Sequence, residues 1–175
     1  MLRPFPVQLV DYDPDWPRQA AERAARLRVL EPVLVAVHHI GSTAVPGLIA
    51  KPIIDLLPVV TDLDTLDLER GAVEALGYQW HGEYGIPGRR YCVAMVGNRR
   101  VAQLHCFAIG DPGITRHLAF RDYLRAHPGA ARAYAAEKRR ARDMHPGDSH
   151  AYGGEKQGWI NRVEAEALAW YGSRA

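Results

Sequence analysis

The sequence predicts an α+β fold, a mixed β-sheet flanked by helices with a helical C-terminal part. Three observations predict it. Strand-like runs crowd into the middle of the 175-residue chain, helical patterning fills both ends, and 47% of the residues are apolar, enough for a sizeable core. No repeat, low-complexity tract or long linker divides the chain. It reads as one domain over 1–175, with a sheet-containing core over 1–110 and a helical part over 111–175 packed on it.

Asp15-Trp16-Pro17 opens the first helix, with an acidic N-cap and proline in the first turn, and Ala-rich sequence carries it to about Leu34. Val35–Ile40 and Ile53–Val60 are short apolar runs that read as buried strands. Thr61–Leu76 reads as a helix closed by Gly77. Tyr78–Glu83, Arg90–Val96 and Val101–Ile109 follow as strands, with Gly97-Asn98 making a tight hairpin between the last two. Three helices complete the chain, over roughly 114–126, 129–143 and 148–171. His127-Pro128 and His145-Pro146-Gly147 separate them.

Composition excludes several classes. A net charge of +2 is too small to argue for nucleic acid or a membrane surface, and no window approaches the ~18 apolar residues of a membrane span. Met1-Leu-Arg-Pro-Phe-Pro lacks the apolar segment of a signal peptide. Cys92 and Cys106, both inside strand-like runs, read as buried thiols of a reducing cytoplasm rather than a disulfide framework. Walker A, Gly-x-Gly-x-x-Gly, Gly-x-Ser-x-Gly and His-Glu-x-x-His patterns are absent, and two isolated cysteines do not make a structural zinc site.

The chemistry concentrates in His38–Val60, HHIGSTAVPGLIAKPIIDLLPVV. A strand-like run stops at Gly41-Ser42, and after twelve intervening residues Asp55 stands alone in an apolar strand. Nucleotidyltransferase-fold proteins begin their site in this way. Small residues let the backbone approach a phosphate, the hydroxyl and N–H groups donate to it, and the acid on the next strand holds Mg²⁺ against its oxygens. A turn beside an ion-paired structural Asp55 is the alternative.

Longer segments agree with a known family. HIGSTAVPGLIAKPIIDL (39–56) resembles the signature of the GrpB-like family. VDYDPDWP (10–17), GIPGRRY (85–91), QLHCF (103–107), LAFRDYLRAHP (118–128) and YGGEKQGWI (152–160) resemble its other segments in order. That family is classed as predicted nucleotidyltransferases, so the resemblance implies the fold strongly and the chemistry less so, because function resides in sites rather than folds.

In the general nucleotidyltransferase pattern a second carboxylate follows two positions after the first, on the same strand face. Here that position is Leu57. Asp55 and, from a neighbouring strand, Glu83 are the candidate catalytic acids. Asp55 with His105 is the candidate metal set, for Mg²⁺ or for a transition metal that imidazole suits better. Gly41, Ser42 and Thr43 are the candidate phosphate-binding turn, with His39 positioning it. Lys51, which precedes Pro52 at the mouth of the Asp55 strand, and one of Arg89 and Arg90, whose alternation sends them to opposite faces, are candidate anion ligands. So are Tyr152 and Lys156, which share a helical face. The Lys138-Arg139-Arg140 cluster reads as a solvated helix face, without the interleaved aromatics that nucleic-acid binding would call for.

Two functional classes follow. One is a transferase moving a nucleotidyl group from a nucleoside triphosphate to a small acceptor; the other is a non-catalytic nucleotide- or phosphometabolite-binding module without the acid pair. A metal-dependent hydrolase is a third. The expected partner in each is a small phosphorylated ligand, not a membrane or nucleic acid. Acceptor, base preference and oligomeric state are not written in the sequence.

Overall fold

A computed structural model describes residues 2–174. Helix α1 spans Trp16–Arg26, strand β1 Leu34–Ile40 and strand β2 Ile54–Val60. Two short helices follow, α2 (Leu63–Leu68) and α3 (Arg70–Ala75), then strands β3 (Tyr78–Trp80), β4 (Arg89–Val96) and β5 (Arg99–Ala108). The chain ends in α4 (Pro112–Ala126), α5 (Pro128–Met144) and α6 (Ser149–Gly172). The five strands form one mixed sheet in the order β1-β2-β5-β4-β3, in which β2 and β5 are parallel and every other pair is antiparallel.

Two faces of the sheet are covered by different sets of helices. Ile54, Leu56 and Val60 of β2 join Leu104 and Cys106 of β5 against Trp16 and Ala20 of α1, Leu66 of α2 and Val73 of α3. On the opposite face Ile40, Leu57, Val59 and Phe107 meet Ile114 and Leu118 of α4. Helices α4, α5 and α6 enclose a further cluster in which Val45 and Leu48, from the segment after β1, pack on Leu124, Tyr134 and Trp159. The N-terminal segment closes the far end: Val7 packs on Ala141 and Tyr152, and its N–H donates to the Pro146 carbonyl at 2.8 Å.

The expected elements are present, with three shortened for local reasons. The first helix stops at Arg26 and tightens into a 3-10 turn over Leu27–Leu30, because Pro32 lacks the N–H that would continue it. Thr61–Leu76 forms two helices rather than one; Asp62, not Thr61, caps the first, and the Glu69 N–H bonds back only three residues, to Leu66, just before the weak helix former Gly71. The strand expected over Tyr78–Glu83 ends at Trp80. Beyond it Gly82, Tyr84, Gly85 and Gly88 all have positive φ, which no strand accommodates. Gly97-Asn98 does close a two-residue hairpin, with Val96 opposite Arg99.

Leu56 is fully enclosed between the sheet and α1–α3. Leu56→Ala should lower the unfolding free energy by about 2–5 kcal/mol. Urea titration would register this as a lower midpoint at an unchanged slope.

Candidate functional site

Strand register places Asp55 between Ile40 on β1 and Gln103 on β5. Its side chain is 20% exposed, in a strand that is otherwise buried and apolar. Gly41, immediately after β1, explains why the carboxylate fits. A Cβ at Gly41 would lie 2.5 Å from Asp55 Oδ2, so only glycine leaves room for that oxygen. The backbone there, at φ 70 and ψ −169, belongs to a region essentially restricted to glycine.

The remaining neighbours of Asp55 come from the strand face formed by alternate residues of β4 and β5. The Gln103 amide donates to Oδ1, and His105 Nε2 stands 3.4 Å from the same oxygen. Tyr91 donates its hydroxyl to Gln103 Oε1, and Arg100 donates to the Tyr91 oxygen at 3.1 Å. Arg89 Nη1 lies 3.3 Å from His105 Nδ1. A guanidinium only donates, so Nδ1 accepts and the His105 proton sits on Nε2, directed at Asp55. Burial alone would push the Asp55 carboxyl up. The bonds from His105 and Gln103 and the charge of Lys51 outweigh it and hold Asp55 below its ordinary value.

Beside this network three lysines converge. Lys138 is 2% exposed, and its ammonium donates to the Ile49 carbonyl at 2.7 Å. Lys51 lies over the rings of Phe5 and Tyr152, and Lys156 over those of Tyr152 and Tyr134. Lys138 also faces Tyr134, whose hydroxyl sits beside Ser42. Burial, then the charge of Lys156, pulls Lys51 down to about 8 against the opposing pull of Asp55. Lys138 is held well below the ordinary lysine value by burial first, then by Lys156 and Lys51. Among the described residues none of the three forms an ion pair with a carboxylate. Neutral aromatic faces soften the enclosure of these cations without cancelling their charge.

The expected site residues divide on inspection. Gly41, Ser42, Lys51, Asp55, His105, Tyr152 and Lys156 come together, with Arg89 behind His105. Thr43 is in the turn but points inward; it is 1% exposed and its hydroxyl meets His39 Nε2 at 2.8 Å. Arg121 and Arg125 of α4 then hold the His39 and Ala44 carbonyls, so the turn is braced from three sides. Two residues are not brought to Asp55. Arg90 points away from it and grips Asp67 of α2 with two bonds of 2.6 and 2.7 Å. Glu83 sits in the glycine-rich turn, not on a strand, and accepts from the Gly88 N–H at 2.8 Å. Lys138 corrects the reading of its cluster as a solvated face. Tyr134, Lys138 and Ala141 form one buried stripe of α5, and a lysine at helical spacing between a tyrosine and an alanine was the available signal. Gln103, Tyr91, Arg100 and Tyr134 are the other contributors that sequence reasoning passed over.

The donor set does not fit a metal ion. Among the described residues no three His, Cys, Asp or Glu side chains converge to hold one. Positions two before and two after Asp55 are Ile53 and Leu57, both buried and apolar, so β2 supplies no second carboxylate. His105 has Nδ1 facing Arg89 and Nε2 facing Asp55, which leaves no free lone pair for a transition metal, and Glu83 is elsewhere.

Residues 6–166 match the family described as GrpB protein. UPF0157 protein YqkA of Bacillus subtilis is 40% identical over 169 residues, covering 96% of this chain and 49% of that protein. A dephospho-CoA kinase of Mycolicibacterium paratuberculosis is 31% identical over 193 residues, covering 96% of this chain and 47% of that protein. The chain thus spans about half the length of each. The crystal structure of GrpB from Enterococcus faecalis superposes with a TM-score of 0.88 at 38% identity, covering 94% of this chain and 99% of that one. Cid1 in complex with its short product ApU is similar at a TM-score of 0.52 and 14% identity, over 83% of this chain and 48% of that one. At that identity the likeness concerns the fold alone.

Two outcomes follow from this geometry. Gly41→Ala should cost at least about 1–3 kcal/mol from its backbone conformation, before the displacement of Asp55 is counted; chemical denaturation would measure it. Burial also holds His39 at about 4 and His117 at about 3, both below their unfolded values. Between those values and about 6.5 the unfolded chain binds more protons than the folded one, so stability is present above that window and falls as pH drops through it. Denaturant midpoints from pH 7.5 to 4.5 should therefore decline, and His117→Asn should flatten the slope. A wild-type protein equally stable across that range would contradict the neutral burial of these histidines.

Proposed function

The chain belongs to the GrpB family, and from that premise we propose that it binds a nucleoside triphosphate, or a ligand of similar polyphosphate character, at the Gly41-Ser42 turn. The observation that carries this reading is the convergence of the buried Lys138 with the half-buried Lys51 and Lys156, none of them ion-paired to a carboxylate among the described residues. Burying uncompensated ammonium groups is costly, and an incoming polyphosphate would relieve that cost. Ser42 and the backbone beside Gly41 add neutral donors of the kind that surround phosphates. Next to Lys51 a groove of about 250 Å³, lined in part by Phe5, Pro52, Asn98, Arg99 and Arg100, is open to the rest of the ligand.

We favour a binding module over a transferase because Ile53 and Leu57 flank Asp55 with apolar side chains. Nucleotidyl transfer to a small acceptor is the second reading, favoured by a carboxylate held ionised beside the lysines. The metal-dependent hydrolase is disfavoured because Glu83 does not join Asp55 and His105. The likeness to a dephospho-CoA kinase does not make this chain a kinase, since it carries no Walker A loop. Buried free thiols at Cys92 and Cys106 suit a cytoplasmic location, and no helix among the described residues is long and apolar enough to cross a membrane.

ATP at 100 times its dissociation constant should raise stability by about 2.7 kcal/mol. Lys51→Met and Lys156→Met should each weaken ATP binding by about 10- to 150-fold, the worth of one charge-assisted bond. Lys51 gives the pH dependence its sign. In the free protein it loses its proton above about 8, so affinity should fall as pH rises through that value, with proton uptake on binding. Calorimetry at pH 7 and 9 would measure both, and ATP binding unaffected by either lysine substitution would defeat the assignment.

A further inference from the structure

We propose that this site balances the charge of its ligand's polyphosphate with Lys51 and Lys156 in front and the buried Lys138 behind them, these three side chains standing where the nucleotidyltransferase fold ordinarily uses divalent cations. The inference rests on the phosphate reading above and goes beyond it by assigning charge neutralisation to the chain's own side chains.

Three independent features lead to it. First, the acid that would anchor a cation stands alone and is engaged on one side. Asp55 Oδ1 receives the Gln103 amide and faces the His105 N–H, and Oδ2 stands where a Gly41 side chain would be. A cation on Oδ1 would have to displace these donors, and one on Oδ2 would meet a single carboxylate, whereas Mg²⁺ demands a nearly ideal octahedron of oxygens. Second, the same strand offers only Ile53 and Leu57 where a second acid would stand. Third, the neutralising charge is already built in. Lys138 is anchored by the Ile49 carbonyl, Lys51 and Lys156 both lie over the Tyr152 ring, and Arg100 lies over Phe5. Lysine clamps and metal ions are interchangeable solutions to phosphate charge, and here the clamp is the one present. Asp55 then has a different task. Its carboxylate, next to the lysines, offsets part of their mutual repulsion in the unliganded protein.

Metal-free binding has an opposite signature to metal-assisted binding. Mg²⁺ chelates the phosphate oxygens and so competes with the lysines for them. The test is calorimetric titration of the protein, at pH 7, with ATP and with inorganic tripolyphosphate, each in EDTA and in excess MgCl₂. The expected result is binding in EDTA with an affinity equal to that in MgCl₂ within about threefold, or tighter. Affinity at least about tenfold tighter in MgCl₂ overturns the inference while leaving the phosphate site intact. No binding of either probe in any condition overturns the phosphate reading and this inference with it.

Two variants separate the lysines from the acid. Lys138→Met is close in shape; relief of a buried charge opposes loss of the bond to the Ile49 carbonyl, so its fold is verified by circular dichroism before titration, and its affinity in EDTA should fall at least about tenfold. Asp55→Asn keeps the acceptor oxygen for Gln103 and removes negative charge next to the lysines, so it should bind tripolyphosphate in EDTA as tightly or tighter. Unchanged affinity in Lys138→Met, or loss of binding in a folded Asp55→Asn, counts against the proposal.

Discussion

Charge enclosed away from water is the constraint around which this protein is arranged. Asp55 stands in a strand whose other side chains are apolar, and an ionised carboxylate there needs donors on every open side. Gln103 and His105 supply two of them from β5, and Arg89 fixes the His105 tautomer from β4. Gly41 is the steric counterpart. Its missing side chain is the space that Oδ2 occupies. The sheet order follows the same need, since β2 must lie beside both β1 and β5 for the turn and the donors to meet one carboxylate.

The lysines pose the complementary problem, and the helical part of the chain answers it. Helices α5 and α6 bring Lys138 and Lys156 over the sheet, while Lys51 enters from the segment that leads into β2. Tyr134, Tyr152 and Phe5 separate the three ammonium groups with polarisable faces, a packing that tolerates cations more readily than aliphatic walls. The N-terminal segment also bonds to the corner between α5 and α6, through Val7 to Pro146 and Phe5 to Ser149. Three distant parts of the chain therefore share responsibility for one cationic pocket.

The architecture is shared with a solved GrpB protein, and around Asp55 the strand supplies no second acid. A mixed sheet with a small-residue turn after one strand and an acid on the next is present here. The pair of acids that would assemble a metal centre is not. Ile53 and Leu57 are instead part of the buried apolar framework. Fold and site are separable quantities, and here three lysines gather beside a single carboxylate.

Much of this was legible from residue order alone, because it depends on local rules. Gly97-Asn98 marked a hairpin, and His127-Pro128 marked the break between two helices. Gly41-Ser42 beside a lone Asp55 marked the site. Alternation also separated Arg89 from Arg90, yet it could not say which one faces Asp55, since that depends on which side of the sheet each set of helices covers. Lys138 was misread for a related reason. A basic run on a helix has a solvated face only if nothing packs on it, and α6 with residues near Val7 packs on this one. Glu83 failed for backbone reasons, because its neighbours turn through positive φ and carry it off the strand. Local chemistry thus determined the elements and the turn. Tertiary packing decided which charges are enclosed together, because burial is a property of what surrounds a side chain and not of the residues next to it in sequence.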